Sequence, residues 1–387
     1  MRRLSRRARA WERGSRAAWR PVSTLLLLLA AACALLAAPG AMARPPARPQ
    51  ETLPQLRLAV AVAVTADGEY GDAMAVLASS VRKHYPLAEG PRGVALVAIV
   101  TPKVQRLRPM LKEFGWMIKE VDGPGVAYEE IADSKLRLNI RKAGCCGLDE
   151  LLKLRALQLE EYDRVLVLDG DTIMLGPVDR LFATNATLVY TRDGAGGGVR
   201  PPAHGGEYPL QGGVWMVRPS AAVFARVMDG FKHGEFHKNG LGWNDSGSGY
   251  WWGGGTIQGL LPWMFRHVFP EGESLEVDRC LYDNMGDEDR CRDMAQEQLR
   301  LYHFTVCPKP WSCMLNEGRS SCSVAQHAWW KTRQGIEEAR GLTPTPTCNR
   351  RGRYSPMMVP ENDRALYVKL CNQPQYCEWT KDFQAEE

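Results

Sequence analysis

The chain has 387 residues, 45% of them apolar and 24% charged, with a formal net charge of +5. That balance suits one large domain with a real core and excludes a charge-rich disordered chain. The positive charge is local. Residues 1–20 hold eight Arg and one Glu, leaving 41 basic and 43 acidic residues elsewhere, so the body has no electrostatic reason to bind nucleic acid.

The basic arm (1–20) leads into Val22 to Ala38, seventeen residues without a charge. As an uncleaved signal anchor this run sits at the lower limit of the roughly 17–25 apolar residues a span needs. As a signal peptide it would be cut after Ala41-Met42-Ala43. The long Arg-rich arm favours the anchor over 21–43, with the arm cytosolic and the body luminal. That makes a single-pass type II protein of the Golgi or ER, or a secreted one if the segment is cleaved. An organellar transit peptide is the third reading. Eight of the eleven cysteines follow residue 279 and no CxxC pair exists, which favours disulfides in an oxidising lumen over a zinc site. Two glycosylation sequons, at Asn185 and Asn244, agree with a lumen.

A Pro-rich linker (44–55) precedes the body (56–311). Leu56 to Val64 is a near-continuous apolar run, the pattern of a strand buried on both faces. A helix over Gly71 to His84, a strand over Gly93 to Thr101, a helix over Val104 to Phe114 and a strand over Gly115 to Val121 follow. An amphipathic helix over Leu148 to Leu159 leads into a strand at Arg164 to Leu168. This alternation predicts an α/β fold with a Rossmann-like, mainly parallel sheet flanked by helices. Beyond Phe182 the pattern predicts strands at 186–191 and 212–220 around a Gly/Pro-rich loop, and a helix over Ala221 to Phe231. The stretch WNDSGSGYWWGGG (243–255) is too Gly-rich for regular structure and reads as a functional or mobile loop. Residues 312–387 read as a Cys-rich, disulfide-stapled extension.

The strand at Arg164 to Leu168 ends on Asp169-Gly170-Asp171. Ligands of open α/β sheets bind beyond such strand ends. Side chains at i and i+2 of an extended segment share a side, so both carboxylates can face one site. Hard oxygen donors of this kind suit Mn²⁺ or Mg²⁺ bound together with substrate phosphates. His303, in Tyr302-His303-Phe304-Thr305, is a good third ligand for Mn²⁺. Lys309 follows it on a turn that Pro310 and Trp311 stiffen, placed to meet a phosphate.

In order along residues 58–311, these motifs resemble glycosyltransferase family eight, the glycogenin-like, retaining sugar-nucleotide enzymes of GT-A fold. The resemblance rests on the opening strand with Thr65 and Tyr70, Lys153 in LLKLRAL, LDGDTIML, Gln211-Gly212-Gly213-Val214, TIQGLL (256–261) and HFTVCPKPW. It implies that Asp169, Asp171 and His303 bind Mn²⁺ and that Asp169 also approaches the donor ribose. It implies that Lys309 holds the diphosphate, that Lys153 neutralises donor charge, and that Thr65 and Tyr70 sit near a uracil. Gln211, Gly212, Gly213 and Gln258 would face the donor sugar, with Gln258 at the reacting centre. The implied partners are a UDP-sugar donor and a carbohydrate, protein or lipid acceptor. Two positions depart from the family: Ile257 stands where Asp is usual, with Asp245 as a stand-in, and Val306 replaces a usual Gly in a loop that a disulfide would shape. The rival readings are a non-catalytic carbohydrate-binding protein, with Trp243, Tyr250, Trp251 and Trp252 stacking on sugars, and a glycoside hydrolase using Asp169 and Asp171. A retaining hydrolase needs two acids flanking a bond, about 5–5.5 Å apart, and two acids on one side of one strand end flank nothing.

Overall fold

The apolar runs become strands because each needs burial on both faces. A computed structural model of the chain describes residues 56–357 apart from 69, 87–92, 143–146, 194–207, 238–240, 250–252, 315–319 and 349–353. The chain divides into two units, 1–52 and 53–387, and all the described elements belong to the second. The arm, the apolar segment and Cys145, Cys146, Cys371 and Cys377 lie outside the described residues. Among those described, no helix is long and apolar enough to cross a membrane.

The main sheet contains β1 (Leu58–Val64), β2 (Val94–Val100), β3 (Trp116–Glu120), β4 (Arg164–Leu168), β6 (Leu188–Arg192), β7 (Leu210–Val217) and β10 (Ser274–Glu276). Their order is β10-β6-β7-β4-β1-β2-β3. The pairings β1·β2, β1·β4, β2·β3 and β6·β10 are parallel, and only β7 runs against its neighbours β4 and β6. The expected mixed α/β architecture with a mainly parallel sheet is therefore what the chain forms. Alternate residues divide between two cores. Leu58, Val60, Val62, Leu166 and Leu168 face one, and Ala59, Ala61, Val165 and Val167 face the other.

The helices Gly71–His84 and Leu107–Glu113 cover the first face, and Ala221–His233 and Ile257–Trp263 the second. Ala221–His233 starts where expected because the Ser220 hydroxyl accepts from Val223 N at 3.3 Å, capping it. The segment Gly147–Gln158, expected as an amphipathic α-helix, instead winds more tightly, with i to i+3 turns. It buries Leu148, Leu151, Leu152, Leu154, Ala156 and Leu157, so packing around its circumference outweighs any single apolar stripe.

Beyond the end of β4, a second small sheet forms. β5 (Thr172–Met174) pairs antiparallel with β11 (Leu301–His303), which sets His303 opposite Thr172. A third pair, β8 (Phe236–His237) and β9 (Gly242–Trp243), lies in the Gly-rich region.

The Cys-rich region contributes a helix, Ser320–Ala339, that packs against Gly71–His84. Trp329 is fully buried between Trp311, Trp330 and Tyr354. Among the described residues, three disulfides link Cys280 to Cys291, Cys307 to Cys322 and Cys313 to Cys348. The expectation that bridges would hold the loop after His303 is met by Cys307 and Cys313. Truncating Trp329 removes the centre of this aromatic cluster. Trp329→Ala should cost about 3–5 kcal/mol, read as a lowered urea midpoint, and a midpoint unchanged from wild type would show that the tail contributes little to the fold.

Candidate metal and phosphate site

The site begins with a turn. Asp169 N donates to Gly213 O at 2.9 Å, extending the β4–β7 edge by one residue. Thr172 N and Thr172 Oγ1 both donate to the Asp169 carbonyl, at 3.2 and 2.8 Å, which closes the chain around Gly170. Tyr70 and Met74 press on Gly170, leaving little room for a side chain there. Phe304 N then donates to the Asp171 carbonyl at 2.9 Å, so backbone bonds tie the His303 strand to the acidic turn.

The ligand atoms of Asp169, Asp171 and His303 lie within 4.8 Å of one another. His303 Nε2 is 3.4 Å from Asp171 Oδ1 and 3.9 Å from Asp169 Oδ2. Two carboxylates and one imidazole form a mixed oxygen and nitrogen donor set, which fits a divalent metal ion such as Mn²⁺. Behind the imidazole stands a residue the sequence did not flag. Asp283 is fully buried, its Oδ1 lies 3.3 Å from His303 Nδ1, and its Oδ2 accepts from Thr191 Oγ1 at 2.8 Å. Carboxylates in this position fix the ring orientation of metal-binding histidines. Gly213 completes the fit, since a Cβ there would meet His303 Cε1 at 2.2 Å.

Both lysines named from the sequence are present, each on a carboxylate. Lys153 Nζ is 2.6 Å from Asp169 Oδ1 and donates to the Gly212 carbonyl at 3.1 Å. Lys309 Nζ pairs with Asp171 and donates to the Phe304 carbonyl at 3.2 Å. Lys309 begins the helical turn Pro310–Ser312, and the buried Trp311 of that turn packs edge-on against Tyr70 at 5.7 Å.

The charges set the protonation. Burial alone would raise the pKa of Asp171, but Lys309 and His303 outweigh it and hold the carboxyl well below its usual range. Burial would likewise depress His303, yet Asp171 and then Asp283 push it up to about 10. Asp283 is raised by its own burial, partly offset by the hydrogen bond to His303.

Other expected residues fall around this centre. Thr65 follows β1, its carbonyl accepting from Thr101 Oγ1 at 3.5 Å. Gln211 Oε1 accepts from Gly213 N at 2.5 Å. Gln258 Nε2 donates to Asp193 Oδ2 at 3.0 Å. Gly253 packs against this glutamine, since a Cβ there would meet Gln258 Oε1 at 1.9 Å. Pro262 lacks the N–H that would bond the Gln258 carbonyl, and the helix widens beyond it at Met264–Val268. Ile257 is fully buried in the second core. Asp245, named as its stand-in, instead pairs with His237 Nδ1 at 2.6 Å. Trp243 is fully buried and stacks on Trp263 at 5.5 Å, so it is core, while Tyr250, Trp251 and Trp252 lie outside the described residues.

No family model and no curated protein matches the chain. Several solved structures are loosely similar. The glycosyltransferase GlyE of Streptococcus pneumoniae has 15% identity and a TM-score of 0.44, covering 76% of this chain and 66% of its own. The galactosyltransferase LgtC, solved with donor and acceptor sugar analogs, has 15% identity and a TM-score of 0.41, covering 79% of this chain and 99% of its own. Mouse xyloside xylosyltransferase 1 has 13% identity and a TM-score of 0.36, covering 66% and 99%. The chain spans about two thirds of the GlyE structure and about half, 53%, of the bifunctional WbbM structure. At these scores the likeness carries no argument, and the reading of the site rests on its own geometry.

A metal ion takes histidine only as neutral imidazole, so binding must expel the proton from His303. Mn²⁺ affinity should therefore rise with pH from 6 to 9, with proton release seen by titration calorimetry in buffers of different ionisation enthalpy. Affinity flat over that range would separate His303 from the ion. In the metal-free protein the sign is reversed. Protonated His303 stabilises the fold fully below its ordinary pKa of 6.5, and this contribution is lost as pH rises through about 10. Asp283→Asn should weaken Mn²⁺ binding by about 10–100-fold, and wild-type affinity in that variant would reduce Asp283 to a structural role.

Proposed function

We propose that the chain is a Mn²⁺-dependent retaining glycosyltransferase of GT-A type, moving a hexose-type sugar from a UDP-sugar to a glycan, protein or lipid acceptor in the secretory pathway. The observation that carries this reading is one cluster: Asp169, Asp171 and His303 share a potential metal site, with Lys153 on one carboxylate and Lys309 on the other. A site for a divalent cation alone does not need two lysines on its ligands. A site for a cation together with a diphosphate does, because the phosphates bring negative charge of their own. The uracil base, the retained configuration and the hexose come from the sequence resemblance. Three disulfides suit an oxidising lumen.

The residues divide the work by charge. Asp169, Asp171 and His303 would hold the ion, which when bound acts as a Lewis acid on the diphosphate. Lys153 and Lys309, released from the carboxylates, would turn to the phosphates and stabilise the charge that develops on the leaving group. Gln258, held by Asp193 and the Gly-rich loop, would orient the sugar, and the departing phosphate would take the acceptor's proton. Trp243 lies in the core, which removes one of the aromatic residues on which a purely sugar-stacking function would rest.

Titration of UDP with and without Mn²⁺, beside UDP release from a panel of UDP-sugars, tests the reading. UDP binding should require the ion. Asp171→Asn should cut turnover by several orders of magnitude, since the Lewis acid is worth several kcal/mol in the transition state. Gln258→Ala should keep Mn²⁺ and UDP affinity while losing transfer. Metal-independent UDP binding, or full transfer by Asp171→Asn, would refute the proposal.

A further inference from the structure

One half-buried carboxylate beside the site has no part in holding the metal or the phosphates. Glu150 lies on the tight helical segment before β4, its side chain only 13% exposed. One oxygen is satisfied: Oε2 accepts from Thr256 Oγ1 at 2.8 Å. The other, Oε1, lies 3.9 Å from Lys153 Nζ, beyond hydrogen-bond range. Lys153 is itself drawn to Asp169 and to the Gly212 carbonyl.

The space in front of Oε1 is defined by a glycine. A Cβ on Gly212 would lie 3.2 Å from Glu150 Oε1 and 3.3 Å from Gln258 Cγ. A methyl group is crowded at that separation from an oxygen. A hydroxyl is not, since O–H···O contacts run at about 2.5–3.0 Å. No side chain at Gly212 stands between its backbone and Oε1, and the other neighbours of that Cβ position are Gln258 Cγ and, at 3.6 Å, Ile257 Cδ1. Burial raises the pKa of Glu150, partly offset by Lys153 and the Thr256 hydroxyl.

We propose that Glu150 recognises the donor: its Oε1 accepts a hydrogen bond from a hydroxyl of the transferred sugar seated over Gly212, making Glu150 a specificity-determining residue. This rests on the sugar-nucleotide reading of the site, and it places the recognition on the sugar and not on the diphosphate.

The test compares two affinities in one protein. With Mn²⁺ present, UDP and then UDP-glucose, UDP-galactose and UDP-xylose are titrated into wild type, Glu150→Gln and Glu150→Ala. UDP should bind the three proteins within about twofold. The gain of the preferred UDP-sugar over UDP should fall about tenfold or more in Glu150→Ala, as expected for a lost hydrogen bond to a charged group, and less in Glu150→Gln, which keeps an acceptor oxygen. If UDP and UDP-sugar weaken together, Glu150 is structural and the inference fails. It also fails if the sugar-dependent gain is unchanged in both variants, including the case where only the acceptor's KM rises. If wild type does not bind UDP with Mn²⁺, the functional proposal fails and this one with it.

Discussion

The cleft depends on one electrostatic constraint: carboxylates gathered in a poorly solvated place need cations beside them. Asp169, Asp171, Asp283 and Glu150 stand within one chain of contacts with Lys153, Lys309 and His303. Without an ion the two lysines and the imidazolium hold the carboxylates. On the proposed function, the two lysines would change partner when a metal and a diphosphate arrive together. Removal of Lys309 would leave the buried charge of Asp171 less compensated, which costs more than the pair contributes.

The fold enforces that constraint with backbone as much as with side chains. Parallel strands bring β1 and β4 to a common end, and the antiparallel β7 lays Gly212 and Gly213 across it. The β5–β11 pairing then fixes His303 in register with Thr172. Lys309 is positioned separately, by a turn whose Trp311 is packed on Tyr70 and on Trp329 of the tail helix. The Cys307–Cys322 bridge joins the same loop to the same helix. The Cys-rich region is thus part of the mounting of a site residue and more than a trailing extension.

Much of the fold and part of the site were legible locally. Continuous apolar runs read as strands because both faces of the sheet are covered, and two acids at a strand end read as a ligand site, although a turn around Gly170 and not an extended segment sets their positions. His303 and Lys309 were legible from the residues around them. Asp283, Glu150 and Asp193 were not, since each is a single acid in an unremarkable context whose meaning lies in a partner about 20, 106 or 65 residues away. The pairing of each lysine with a carboxylate was also hidden, because residue type gives charge but not company. The segment Gly147–Gln158 departed from its expected α-helix because neighbours on several sides compete for its leucines. Asp245 looked available from the sequence, but its positive φ of 56° and its pairing with His237 belong to a turn.

The span between Asp171 and His303 has a consequence for the order of events during synthesis. A chain made from its N-terminus exposes the two acids long before the histidine strand exists. Until β11 arrives, β5 is an unpaired edge and the acidic turn has neither its imidazole nor Lys309. At the proposed metal site, ion capture would therefore be a late event that reports on completion of the domain. In the proposed luminal setting, the nascent acidic turn would meet free divalent cations with an incomplete ligand set, so premature binding there would be weak and reversible.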